Sequence, residues 1–104
     1  MKYLDVLEPT KAQARLGIIG LIVFQADFTS NFETVLVVPC YPLSANLDVG
    51  LLTLKITING QSALVFMHLI SAIVRGSLKS VVVTTAMPIR DNLIRAIDLL
   101  VTGH

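Results

Sequence analysis

Cysteine is nearly absent from this chain. Cys40 stands alone, so no intrachain disulfide can form, and a single thiol fits a reducing compartment. Two histidines, His68 and His104, lie far apart, and with one Cys they give no zinc-ligand spacing. Charge is scarce too: 8 Lys+Arg stand against 7 Asp+Glu, a net charge of +1, and no basic block stands out. That argues against gripping a phosphate backbone, and hence against direct DNA binding by this chain alone. There is no P-loop, nucleophile elbow or dinucleotide fingerprint, and Gly17-Ile18-Ile19-Gly20 is too short to be one. The acids are scattered, and Asp27 and Glu33 would pair only through loop geometry. Residues 1–8 carry two acids and no apolar core, which excludes a signal peptide reading. These absences predict a binding domain with no catalytic residue, no cofactor and no metal, not an enzyme.

What is present is apolar. Hydrophobic residues make up 54 % of 104 residues, enough for one domain over 1–104 with one core. The mean hydropathy of +0.76 is high for so small a chain. It predicts either membrane contact or apolar surface covered by another subunit. Residues 16–26 are uncharged but number only eleven, too few to span a bilayer. Residues 56–74 are uncharged for nineteen residues between Lys55 and Arg75, which is long enough. That stretch contains Asn59-Gly60, however, a hairpin signal rather than the start of a spanning helix.

The most legible segment closes the chain. Pro88 suits a first helical turn, Thr85 is a candidate N-cap, and Asp91 places a negative charge near the helix start. Ile89, Leu93, Ile97 and Leu100 recur at three- and four-residue spacing, beside Ala96 and Val101. Arg90, Asp91, Arg95 and Asp98 mostly take the other side. The spacing predicts an amphipathic helix over 88–101 that docks on earlier elements and leaves a free tip at Thr102-Gly103-His104.

Earlier segments read as strands. They are 1–7, 16–25, 34–38 (closed by Pro39), 51–58 with a return over 62–68 across a type I′ turn at Asn59-Gly60, and a short run over 79–84. Residues 8–15 read as an exposed loop and 40–49 as turn-rich. Residues 69–75 read as a helical turn ended by Gly76. His68 reads as a structural histidine, Cys40 as a small buried residue, and His104 as a partner contact. The sum is five or six antiparallel strands and a terminal helix: a mainly β, α+β domain with a strongly bent sheet or partial barrel.

Several short runs, in order, carry a resemblance. Gln25-Ala26-Asp27 is followed by Val37-Val38-Pro39. Ile58-Asn59-Gly60 is followed by Ser71-Ala72-Ile73. The close is Arg95-Ala96-Ile97-Asp98-Leu99-Leu100-Val101-Thr102-Gly103. Together they resemble the CcdB family of plasmid and chromosomal toxins, the toxin half of type II toxin–antitoxin modules that serve plasmid maintenance. The resemblance implies a compact, antiparallel, SH3-barrel-like β-domain with a C-terminal α-helix, cytoplasmic and homodimeric. It implies poisoning of DNA gyrase through the gyrase A subunit, held on cleaved DNA, and neutralisation by a CcdA-like antitoxin whose disordered segment folds on binding. Position by position, it implies gyrase contacts at Phe28, Thr29, Asp98, Val101, Thr102, Gly103 and His104. Thr102 stands where the best-known plasmid member has Trp, and His104 where it has an aliphatic residue. This departure implies a second reading: a chain that keeps the fold and antitoxin-binding surface without poisoning gyrase, acting as antitoxin partner and co-repressor or on another target.

Overall fold

The computed structural model describes residues 1–27, 31–43 and 53–103. Among them, seven strands form one curled, half-barrel sheet with every pairing antiparallel. The strands are β1 (Asp5–Leu7), β2 (Gly20–Val23), β3 (Thr34–Pro42), β4 (Thr53–Ile58), β5 (Gln61–Phe66), β6 (Ser71–Val74) and β7 (Val82–Thr85). Their order is β4-β5-β3-β2-β1-β7, with β6 added beside β3. Two α-helices join them among the described residues, α1 (Lys11–Arg15) and the C-terminal α2 (Arg90–Thr102). The expected α+β class, bent sheet and terminal helix are therefore present.

Strand β3 is the shared one. Along one edge its Val37–Cys40 segment pairs with β2. Along the other, Thr34–Val37 pairs with β6 and Cys40–Pro42 with β5. Proline 39 was expected to end this strand, and instead it lies inside it. The reason is local. The Leu36 N–H donates to Gln25 Oε1 at 2.9 Å and its carbonyl accepts the Phe24 N–H at 2.9 Å, both on the β2 side. Alternation then turns the Pro39 nitrogen to the other edge. There it meets the gap between the Val37–Ser71 and Cys40–Val65 pairs, where β5 gives way to β6 through a 3₁₀ turn at Met67–Leu69. No ladder donor is needed at that point.

The central strands are covered on both faces. Leu4, Val6, Ile22, Val38, Cys40, Val65, Met67, Leu93 and Ala96 form one buried cluster, beneath α2. Leu7, Leu21, Val23, Val35, Val37 and Leu78 form another on the opposite face. Alternation along β3 supplies both, Val35 and Val37 to one and Val38 and Cys40 to the other. At the edge, the hairpin is the expected one: Ile58 pairs with Gln61, and Asn59 and Gly60 take φ of 50° and 78°, the two positive values a type I′ turn requires.

Several boundaries differ from expectation. Residues 8–15 are not all loop, since Thr10 opens α1 through a capping box: Gln13 N–H donates to Thr10 Oγ1 at 3.2 Å and Thr10 N–H to Gln13 Oε1 at 2.8 Å. Strand β1 starts only at Asp5, because a turn precedes it. Asp5 N–H donates to the Lys2 carbonyl at 3.0 Å, with Leu4 at φ 67°. That conformation costs a leucine about 1–2 kcal/mol, offset by complete burial of its side chain. Residues 71–74, expected as a helical turn, are β6, because β3 offers them an unpaired edge. Flanking 3₁₀ turns at Met67–Leu69 and Arg75–Ser77 supply the helical character. The terminal helix begins at Arg90, and Pro88 sits in a preceding 3₁₀ turn, Met87–Ile89. Thr85 Oγ1 accepts the Met87 N–H at 3.2 Å, so it closes that turn rather than capping the α-helix. Residues 51 and 52 of the expected hairpin strand, and most of the turn-rich 40–49 stretch, lie outside the described residues.

Gly20 tests this packing. A Cβ there would lie 2.8 Å from Ile58 Cδ1 and 3.0 Å from Val6 Cγ1, both side chains of the cluster beneath α2. Gly20→Ala is expected to cost about 1–3 kcal/mol in urea unfolding. Gly76→Ala, where a Cβ meets nothing within 4 Å, is expected to stay within about 0.5 kcal/mol of the parent.

Candidate functional site

The fully buried residues of the C-terminal helix lie in its first two turns. Leu93 and Ala96 are buried, and Ile89 and Ile97 pack against the cluster formed with Leu4, Ile22, Val38 and Met67. Beyond Ile97 the apolar stripe runs out of partners. Leu100 is 40 % exposed and Val101 75 % exposed. These two were expected on the core side and are instead exposed. Asp98 lies beside them, also exposed. The Thr102 hydroxyl donates to the Asp98 carbonyl at 2.7 Å, folding its side chain back along the helix. Gly103 ends the helix in the left-handed region at φ 76°, its N–H donating to the Leu99 carbonyl at 3.0 Å. A Cβ at Gly103 would meet nothing within 4 Å. The helix end thus gathers Asp98, Val101, Thr102 and Gly103 into one exposed tip, while Phe28, Thr29 and His104 lie outside the described residues.

The Gln25-Ala26-Asp27 run has a visible job. Gln25 spans two β3 backbone groups, accepting from the Leu36 N–H at 2.9 Å and donating to the Thr34 carbonyl at 3.2 Å. It continues the β2–β3 ladder with a side chain after the main chain has left it. Asp27 accepts the Tyr3 N–H at 2.7 Å and so fixes the N-terminal segment to the same loop base. Both residues therefore clamp the base of the segment that carries 28 and 29. The spacing alone marked the motif but not this role, because the backbone partners lie 9 to 24 residues away.

His68 lies in the 3₁₀ turn after β5, exposed, with its ring stacked on Phe66 at 5.4 Å between centroids. Phe66 in turn meets Tyr41 at 5.3 Å. Among the described residues no three His, Cys, Asp or Glu side chains gather around a common point where an ion would sit. No helix among them is long and apolar enough to cross a membrane; residues 56–74 are the end of β4, β5, the 3₁₀ turn and β6.

A family model described as CcdB protein matches residues 4–103. The chain belongs to the CcdB family. No curated protein matches it. Membership gives it the fold of a toxin from a toxin–antitoxin pair, with antitoxin partnering as the family's general mode, and the family is one of toxins rather than enzymes.

Cys40, the one thiol, is buried beneath α2, and loss of water around it pushes its pKa from 9.0 up to about 12. In the folded chain it stays a protonated, inert thiol, so a disulfide-exchange reagent at pH 8 is expected to react only after denaturant is added. The unfolded thiol ionises first, so the unfolded state binds fewer protons between about pH 9 and 12. Stability held below pH 9 is therefore expected to fall through that window, and to fall less in Cys40→Ala, as urea midpoints at stepped pH will read.

Proposed function

We propose that this chain is the toxin of a type II toxin–antitoxin module that binds the DNA gyrase A subunit and holds the enzyme on cleaved DNA. One observation carries the reading. The last turn of α2 leaves Val101 and part of Leu100 exposed next to Asp98, Thr102 and Gly103. An exposed apolar helix end is available for a target. Phe28, Thr29 and His104 complete the proposed contact set. The chain works as a cytoplasmic homodimer of single 1–104 domains, with no membrane attachment. A second copy covers part of the exposed apolar set that includes Leu36, Leu69, Val74 and Met87. A CcdA-like antitoxin neutralises it by folding a disordered segment onto its surface.

A second reading rests on Thr102. Its hydroxyl is turned back onto the Asp98 carbonyl, and a threonine offers none of the flat apolar surface with which an aromatic anchor dominates an interface. On that reading the protein keeps its antitoxin surface and acts as partner and co-repressor, harmless when expressed alone.

A gyrase–DNA cleavage assay with plasmid and ATP separates the two. The toxin reading expects trapped linear DNA with the parent protein and none with Gly103→Glu. That variant is expected to remain folded, because its Cβ enters open space and the left-handed backbone costs it about 1–2 kcal/mol. Linear DNA that persists with the variant places the contact elsewhere. No linear DNA at saturating parent protein favours the second reading.

A further inference from the structure

Among the described residues the half-barrel does not close. Its end strands, β4 and β7, each pair on one side only among the described residues, β4 with β5 and β7 with β1. Between them runs a groove of about 390 Å³, lined by Lys55, Ile56 and Thr57 on one side and by Thr84, Thr85, Pro88 and Ile89 on the other. We propose that this groove takes an extended peptide, added as a strand along β4, with a carboxylate facing Lys55. The proposal is independent of the toxin reading. Ile89, at the groove, immediately precedes α2, whose 13 residues carry the tip about 20 Å away.

The register of the hairpin decides which backbone groups are on offer. Ile58 and Gln61 flank a two-residue turn and exchange hydrogen bonds with each other, as do every second pair back along the ladder. The N–H and C=O groups of Thr53, Lys55 and Thr57 therefore point away from β5. A strand laid beside them gains main-chain hydrogen bonds, which is how edge strands take up extended peptides. Specificity comes from alternate side chains. Ile56 and Ile89 are both half-buried against the cluster beneath α2, so an inward apolar side chain of the peptide would extend that core.

Lys55 selects the occupant. It makes no ion pair among the described residues. The three outward residues centre on it, so β4 paired with its own copy across a two-fold axis would set Lys55 against Lys55. Like charges directly opposite destabilise a strand pair, and a lysine on an edge is a known guard against self-pairing. The same charge favours an acidic partner. A second copy of this chain is thus disfavoured, and a peptide alternating apolar and acidic residues is favoured.

The test uses the full chain, ¹⁵N-labelled, titrated with an end-capped pentapeptide of sequence Thr-Val-Glu-Val-Thr. Saturable shifts and slowed exchange at the amides of Thr53, Lys55 and Thr57 are expected. Replacing the peptide's glutamate by lysine is expected to weaken binding about three- to tenfold, and Lys55→Glu is expected to reverse that preference. Thr57→Pro removes one outward donor without touching the β4–β5 ladder and is expected to abolish binding while the remaining amide pattern is kept. Absence of saturable shifts on β4, or a charge preference unmoved by Lys55→Glu, overturns the proposal. So does broadening of the same amides with protein concentration alone that vanishes in Thr57→Pro, because it would mean that a second copy takes this edge.

Discussion

Everything else in the fold depends on a nine-residue strand that serves three neighbours. β3 pairs with β2 along one edge and divides its other edge between β6 and β5. A divided edge leaves a step where neither neighbour pairs, and Pro39 occupies that step. A residue with an N–H there would bury a donor with no strand to receive it, at a cost of about 1–3 kcal/mol. Proline has no such donor. The residue that ordinarily ends a strand here permits a longer one. Because β3 continues to Pro42, β5 and β4 can be added beyond it, and the sheet curls far enough to wrap one face around Leu93 and Ala96 of α2.

That geometry separates stability from function along one helix. Full burial of Leu93 is worth about 2–3 kcal/mol, and Ala96 lets the helix backbone approach the sheet closely. Both residues sit in the first two turns. Val101 in the last turn is mostly exposed and can vary with little effect on folding, whereas Leu93 and Ala96 cannot. The clamp made by Gln25 and Asp27 follows the same division. These residues tie the end of β2 to main-chain partners on β3 and at Tyr3.

The legible parts of the sequence were those whose signal is local. Asn59-Gly60 specifies its own turn, because both residues tolerate positive φ, and α2 shows its 3.6-residue stripe without reference to any partner. Thr10 and Gln13 were equally local, and the Thr-x-x-Gln pattern of a capping box was available to read. Their helix was masked by its shortness and by Pro9. The misread parts were those set by distant partners. Ser71–Val74 is a strand only because β3 has a vacant edge, Pro39 is tolerated only because that edge is divided, and Leu4 adopts a left-handed conformation only because its side chain reaches the core. The exposure of Leu100 and Val101 depends on tertiary packing, which no helical periodicity encodes.

The high hydropathy has its explanation in the same architecture. A sheet covered on one face needs alternating residues, but β1, β2 and β3 are covered on both, by two separate clusters. Continuous apolar runs such as Leu21-Ile22-Val23 are what such strands require, and they make no demand for a membrane. The apolar residues left over are of two kinds. Some lie on outward surfaces, among them Leu36, Val74 and Val101, and call for another protein. Others, such as Ile56 and Ile89, line a seam that the sheet leaves open. Open seams invite uncontrolled strand addition, and this one is guarded by Lys55 on β4 and by a register break between Val6 and Leu7 in the β1–β7 ladder. A guarded edge beside an unfinished core is better suited to an occasional peptide than to a permanent neighbour, since the guard would oppose the copy that is always present at the protein's own concentration.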